Sequence, residues 1–551
     1  MVAKLYTLSR NSILLVCLLV TCGSSSLALR RERLIETWQP KHYVVSLTLN
    51  EQLSEISTAT ARIDVVALRR LTFIDLDFGE LTTKAVSVNG RKENYSHKSG
   101  KLVITLSKPV NAGTRLAVTV EYSGKPTDGL ILTNDKDGKP AAVGDNWPNR
   151  VHHWIPVLDH PAAKATVTFN VTAPANNLVV ANGRFEKVET TATGARTWTY
   201  SESVPIPPYC MIIGVGQFAK FEPTEPALTP LSYYVPGSDS QFAVKGFAPA
   251  TPILQFFTQT VGPYPYEKLA LIVGNTRYGG MENSSAIVFT ANMFNRNPSA
   301  KISPTFGIQS GNVSLIAHEV AHQWFGDSVT AATWSDVWLS EGFATYFAGL
   351  FIQKYESEAD FRVYMKQAAT TALGYEKRSR TPIFDKETED LNKLLNGNSY
   401  QKGAWVLHML RTQLGDEAFF RGIRAYYAKH KNSTATSEDL RLALERASGR
   451  NLRTFFDRWI YDSGHPEYEL ISSLYKKTGE LWLTLEQKQP GKLFLDPVTV
   501  KVVTDDRTFE VVLKPRTRIT RKLVLITSEL KSIEVDPENN LLDESTWKGD
   551  R

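Results

Sequence analysis

The sequence predicts a multidomain α+β chain: an N-terminal β domain, a mainly helical middle domain and a small C-terminal β-sandwich. Three observations carry this. Residues 34–221 contain short runs of β-branched residues separated by Gly, Asn and Pro clusters. Residues 241–464 repeatedly place apolar side chains at i, i+3, i+4. Beyond Gly464-His465-Pro466 the short β runs return. At 551 residues the chain is long enough for several hydrophobic cores. With 42% apolar and 22% charged residues it is neither disordered, collagen-like nor a polytopic membrane protein. Its net charge of +6 is not gathered into any Lys/Arg arm, which argues against nucleic acid as a partner.

Residues 1–28 read as a secretory signal. Lys4 and Arg10 give a positive start, residues 13–20 (ILLVCLLV) an apolar core, and Ser26-Leu27-Ala28 a small-x-small cleavage site. The apolar core is too short to span a bilayer, so no transmembrane span is expected in the mature chain. The expected location is secreted or periplasmic. Residues 19–23 (LVTCG) also approach a lipidation signal, so a lipid anchor at Cys22 stands as the alternative. Cleavage after Ala28 would remove Cys17 and Cys22 and leave Cys210, within the apolar run 209–213, as a buried inert thiol.

Residues 29–221 then form the β domain. Strands are expected at 43–49, 102–106 and 165–171, with turns at Asn89-Gly90 and Asn182-Gly183. Pro223, Pro226, Pro230 and Pro236 make residues 221–236 read as a linker or domain edge. The middle domain is placed at 222–465. A short strand at 269–273 precedes helices at 313–325, 340–355, 401–414 and 438–447, with Gly326, Gly415 and Gly449 as stops. In the final domain, 466–551, residues 481–485, 498–503 and 509–513 read as strands of a sandwich ending near Leu541.

The most informative stretch is His318-Glu319-Val320-Ala321-His322. At 100° per residue the two histidines share one helix face, one turn apart, so both imidazoles reach one ion. Glu319 lies too far round to chelate with them but can reach a water on that ion. The neighbours Leu315, Ile316, Ala317, Val320 and Trp324 are apolar, and a buried helix needs a reason to carry His, Glu and His. A hydrolytic zinc site has three protein ligands and one open position. Glu341, 19 residues after His322 and early in another helix, supplies the third.

These residues resemble the zinc aminopeptidases of the aminopeptidase N and leukotriene-epoxide hydrolase family. HEVAHQWFGD (318–327) resembles their HExxHxWFGN stretch, and WLSEGFATY (338–346) their WLNEGFA segment. Gly279-Gly280-Met281-Glu282-Asn283 is similar to their GxMEN signature, and SYQKGAWVLHML (399–410) to the segment bearing their tyrosine. Residues 154–161 look like a drifted FPCxDEP segment.

The resemblance implies a saddle-like N-terminal β domain, a thermolysin-like catalytic domain and a β-sandwich, in a short form without the long C-terminal helical domain. It implies one Zn²⁺ per chain on His318, His322 and Glu341. Glu319 would be the general base and Tyr400 the donor to the oxyanion. Gly279, Gly280, Met281, Glu282 and Asn283 would bind substrate, with Glu282 anchoring the free amine of a peptide. Two departures stand out. Trp147 occupies the position of a second amine anchor, with Asp145 or Asn146 as possible substitutes, and Asp327 replaces an Asn. Epoxide hydrolysis, a zinc endopeptidase and a non-catalytic scaffold of the same fold are the alternatives to an aminopeptidase.

Overall fold

The computed structural model describes residues 30–33 and 35–549. The leader read in residues 1–28, with Cys17 and Cys22, lies outside them. Alternation of β-branched and polar residues gives the first region its sheets. An eight-stranded sheet is centred on Trp38–Leu49, antiparallel to Ile56–Ala67 and parallel to Ala165–Ala173. Every second side chain of these strands is buried, including Tyr43, Val45, Ile63, Val65, Val167 and Phe169. The period-2 pattern therefore sets which face packs inward. A three-stranded and a four-stranded sheet complete this β-rich region.

The middle region opens with a five-stranded sheet. Leu231–Val235, Leu269–Gly274 and Ala286–Thr290 run parallel, and Gly280–Met281 pairs antiparallel with the last of them. One expectation is corrected here. The proline-rich stretch is not all linker, because Leu231–Val235 within it is a strand of this sheet. Pro230 and Pro236 flank that strand; Pro230 serves it only as an acceptor, taking the Leu269 N–H at 2.8 Å, as proline permits.

Helix Ser310–His322 follows, then Trp338–Tyr355, in which residues 338–352 are all buried. A helix apolar on every side belongs in the middle of a domain, not on its surface. Helix Gly403–Leu414 packs against it, preceded by a π-helical turn at Asn398–Lys402. The C-terminal region is a four-stranded sheet facing a three-stranded one. Its last strand, Glu544–Gly549, runs past Leu541 and pairs parallel with Glu467–Tyr475. None of the described helices is long and apolar enough to cross a membrane.

Two contacts fix the frame of the site. Trp147, Tyr209, Cys210, Met281 and Trp334 belong to one apolar cluster that joins the first region to the five-stranded sheet. Beside it Lys164, with its ammonium shifted down to about 7 by burial, donates to the carbonyls of Asp327 and Ser328 at 2.7 Å each. At the seam with the C-terminal region, charges alternate along Lys402, Glu376, His465, Glu544 and Lys377.

Candidate active site

Helix Ser310–His322 and helix Trp338–Tyr355 lie side by side, and the ligand candidates project between them. The Nε2 atoms of His318 and His322 are 3.0 Å apart, and each is 3.4 Å from Glu341 Oε2. Ligands about 2.0–2.1 Å from one tetrahedral zinc ion lie roughly 3.3 Å from one another, so these separations fit one ion.

The tautomer fits as well. His322 Nδ1 faces Ser340 Oγ at 2.9 Å and the Phe325 carbonyl at 3.2 Å. A carbonyl only accepts, so Nδ1 carries a proton and Nε2 is the nitrogen turned toward His318 and Glu341, where a metal ion would displace any proton it holds. Glu341 Oε2 is buried and has no hydrogen-bond partner. A buried carboxylate oxygen without a donor is costly unless a cation meets it.

The three residues line a cavity of about 570 Å³ with Glu282, Glu319, Tyr400, Trp147 and Tyr278 among its walls. Its walls hold three carboxylates, two imidazoles and no Lys or Arg. The electrostatics follow from that crowding. Burial pushes the Glu319 carboxyl well up, and Glu282, Glu341 and Asp327 add to the push. Burial also raises Glu282, to about 7, with Glu341 and Asp145 adding and His322 opposing. Burial acts against the charge on Glu341 too, but the adjoining imidazoles of His322 and His318 outweigh it and bring that carboxyl down to about 2. The histidines diverge. Burial lowers His318, whereas on His322 the charges of Glu341, Glu282 and Glu319 overcome burial and raise it to about 10. A cavity this rich in carboxylates, with no fixed basic side chain on its walls, is built to receive cations.

The seam cluster around His465 makes the contrast. His465, Glu467 and Glu544 also come within ligand distance of one another. There, however, Glu544 already meets Lys377 at 2.6 Å, and His465 Nδ1 lies 2.6 Å from Glu376, which also holds Lys402. There the carboxylates meet lysines, whereas Glu341 faces only the two imidazoles.

Close backbone approach assembles the rest. A Cβ on Gly280 would collide with the Glu319 carboxyl group, so that carboxyl packs directly against the Gly280 backbone. Gly280 lines the cavity, and its missing side chain also makes room for Glu319. Gly280→Ala should lower kcat by about a hundredfold through displacement of Glu319, with metal content unchanged. Steady-state kinetics beside elemental analysis checks this.

Gly342, next to Glu341, touches Gly403, so that a Cβ on Gly342 would sit 2.9 Å from the Gly403 backbone. That contact brings the turn carrying Tyr400 against the Glu341 helix. The Tyr400 ring lies parallel to His318 with centroids 5.8 Å apart. Burial and the nearby carboxylates push its hydroxyl well up, which keeps it a hydrogen-bond donor. Lys402 anchors the turn from below through Glu376 and the Gly464 carbonyl.

The candidates at the second amine-anchor position separate clearly. Asp145 is wholly buried, with Oδ1 bound by Arg150 at 2.6 Å and Oδ2 by the Arg277 N–H at 2.8 Å. Asn146 donates to the Met211 carbonyl and accepts from Trp154 Nε1 at 2.8 Å. Both are committed to holding the loop. Trp147 alone of the three reaches the cavity wall, packed edge-on against Tyr209 and Trp334. Of the proposed substrate-binding run, Gly279, Gly280, Met281 and Glu282 line the cavity. Asn283 does not; it is fully buried, its amide near the Met281 carbonyl at 3.3 Å, and it belongs to the support. Asp327 contacts neither histidine side chain and instead accepts from Cys210 and Gln323. Ser340 and Gln323 were not singled out in the sequence. Ser340 directly precedes Glu341 and Gln323 directly follows His322, and that adjacency to ligands was the available signal.

Fold and ligand set together define a class: an HExxH helix with a downstream glutamate, preceded by a β-rich region. Residues 247–459 match the family model described as the Peptidase family M1 domain, and residues 39–210 match the Peptidase M1 N-terminal domain. The chain belongs to peptidase family M1. It is 27% identical over 404 residues to Probable aminopeptidase 1 of Saccharolobus solfataricus, covering 71% of this chain and 50% of that protein. It is 28% identical over 363 residues to Glutamyl aminopeptidase of Rattus norvegicus, covering 63% and 38%. With Tricorn protease-interacting factor F2 of Thermoplasma acidophilum it shares 27% over 430 residues, covering 75% and 52%. The chain spans about half the length of the curated relatives it matches.

Proposed function

We propose that this protein is a zinc-dependent aminopeptidase that removes N-terminal residues from peptides. The observation that carries the reading is Glu282: a carboxylate beyond the His318, His322 and Glu341 set, in a cavity lined by no Lys or Arg, with one oxygen buried and unpartnered. A free peptide N-terminus is a cation, and an anion at a fixed distance from the reacting centre counts one residue from the end.

His318, His322 and Glu341 would hold the zinc. Bound there, the ion would supply a Lewis acid that polarises the scissile carbonyl and makes a water acidic enough to attack at neutral pH. Glu319 receives the proton of the attacking water and returns it to the leaving nitrogen as the C–N bond breaks. Its raised proton affinity suits both halves of that task. The Tyr400 hydroxyl donates a hydrogen bond to the oxygen that gains negative charge. Trp147, Tyr278 and Met281 give the cavity its apolar wall, which favours a large uncharged first side chain.

The test is a panel of aminoacyl chromogenic substrates, each with a free and an acetylated N-terminus, with and without a chelator. Cleavage of the free-amine set alone, abolished by chelator and restored by Zn²⁺, is the expected result. Equal cleavage of acetylated substrates would overturn the aminopeptidase reading in favour of an endopeptidase. Unaltered rates in chelator would overturn the zinc assignment.

A further inference from the structure

Glu282 sits where the sheet no longer determines its position. The Gly280–Met281 strand pairs with Ala286–Thr290 at only two positions, Gly280 with Phe289 and Met281 with Val288. Glu282 is one residue past the end of that ladder. The chain then turns back through Ser285, whose φ of 60° is left-handed, before rejoining the sheet at Ala286. The location of the Glu282 backbone must come from elsewhere.

Residues 283–285 are held by Asn182, Lys268, Ala270 and Glu202, but the Glu282 carbonyl is held by Gln323. This side chain is wholly buried. Its Nε2 donates to the Glu282 carbonyl at 2.8 Å, and its Oε1 accepts the Ser285 N–H at 2.8 Å. One carboxamide thus closes both ends of the four-residue excursion 282–285, in the place a neighbouring strand would take. Its orientation is fixed from two more sides. Asp327 Oδ2 accepts from Nε2 at 2.8 Å, and the Tyr264 hydroxyl, whose one hydrogen is shared with the Lys268 carbonyl at 2.9 Å, lies 3.2 Å from Oε1. Asp327 is itself held, since its other oxygen accepts from the Cys210 thiol at 3.2 Å. The amide cannot flip without losing its bonds to Asp327 and to both backbone groups. Gln323 is also the residue directly after His322. The clamp therefore runs from the ligand helix to the loop bearing Glu282 through one rigid side chain.

We infer that Gln323 is a positioning residue that sets the distance between the metal ligands and the Glu282 carboxylate, and so sets where a free α-amine is held. Asp327 acts through it by fixing the amide's orientation. The inference rests on the aminopeptidase reading above. It predicts a defect of one kind. Loosening the clamp should spoil amine recognition more than metal binding, because His318, His322 and Glu341 are held by their own helices and by Ser340.

Gln323→Glu is the direct test, since it keeps the shape and the acceptor to Ser285 but replaces the donor to Glu282 with a carboxylate oxygen facing a carbonyl and Asp327. The double variant Gln323→Glu/Asp327→Asn relieves the second repulsion, because an Asn amide can donate to the introduced carboxylate. It keeps the experiment readable if the single variant folds poorly, while the Glu282 carbonyl still lacks its donor.

Three quantities are measured on each purified holoenzyme: zinc per chain, binding of L-leucine and of N-acetyl-L-leucine by titration calorimetry, and KM and kcat on a leucyl chromogenic substrate. Expected for the double variant are one zinc per chain, leucine binding weakened by about tenfold or more, and a matching rise in KM with a smaller change in kcat. Weak N-acetyl-leucine binding should not change. Wild-type leucine affinity and KM in the double variant would overturn the inference, and so would a loss of zinc in proportion to the loss of activity. Failure of the underlying reading looks different: the wild-type protein itself would then show no preference for leucine over N-acetyl-leucine.

Discussion

Replacing Glu319 with Gln is expected to cut kcat on free-amine substrates by about a thousandfold, with zinc content and thermal unfolding close to wild type. The amide keeps the volume of the carboxylate and can rest against Gly280 in the same way, so the wall of the cavity stays intact. What it loses is the ability to take a proton. In the folded protein that ability is heightened, since burial and the carboxylates of Glu282, Glu341 and Asp327 all favour the protonated form of Glu319. KM should change little, because Glu319 would contribute to the transition state more than to ground-state binding. Steady-state kinetics with elemental analysis on the same preparation decides the matter. A variant with activity within tenfold of wild type would remove Glu319 from the role of base, and a variant without zinc would make it structural.

The parts of the site legible in the sequence are those governed by local periodicity. His318 and His322 fall one turn apart because a helix repeats every 3.6 residues, and their meeting at 3.0 Å follows from that period. Glu341 was legible because His318 and His322 leave a hydrolytic zinc site one protein ligand short, and Glu341 is the acid that follows in the next apolar helix. Tyr400 and Glu282 could be placed only by resemblance. Their approach depends on a glycine-to-glycine contact and on an excursion beyond a two-residue strand, and neither leaves a periodic trace. Beyond its adjacency to His322, Gln323 left no trace for a related reason. A glutamine in a helical run looks like a surface residue until the loop that it clamps is seen. The strand Leu231–Val235 was hidden by its flanking prolines, which read as linker although they only mark its ends. In Trp147 the sequence posed a question, and the burial of Asp145 and Asn146 in loop-holding bonds answers it.

That answer sharpens the expectation for Glu282→Ala. With Asp145 and Asn146 occupied and an indole at the remaining position, Glu282 is the cavity-wall carboxylate left once Glu341 joins His318 and His322 and Glu319 is taken as the base, although it also lies within ligand distance of Glu319 and His322. Its oxygen Oε1 is buried and unpartnered, and burial with Glu341 and Asp145 pushes the carboxyl up to about 7. An ammonium seated beside it would supply the missing countercharge and draw it back to the ionised form. Removing one partner of a buried charged pair costs about 2–5 kcal/mol, so kcat/KM on free-amine substrates should fall by about thirtyfold to several thousandfold. The residual rate on acetylated substrates should stay level or rise, since these gain nothing from the anion and lose a carboxylate that crowds them. The ratio of the two rates is the decisive readout, because a general loss of structure or of zinc lowers both together. Equal losses on both classes would mean that Glu282 supports the fold of the site and does not read the amine.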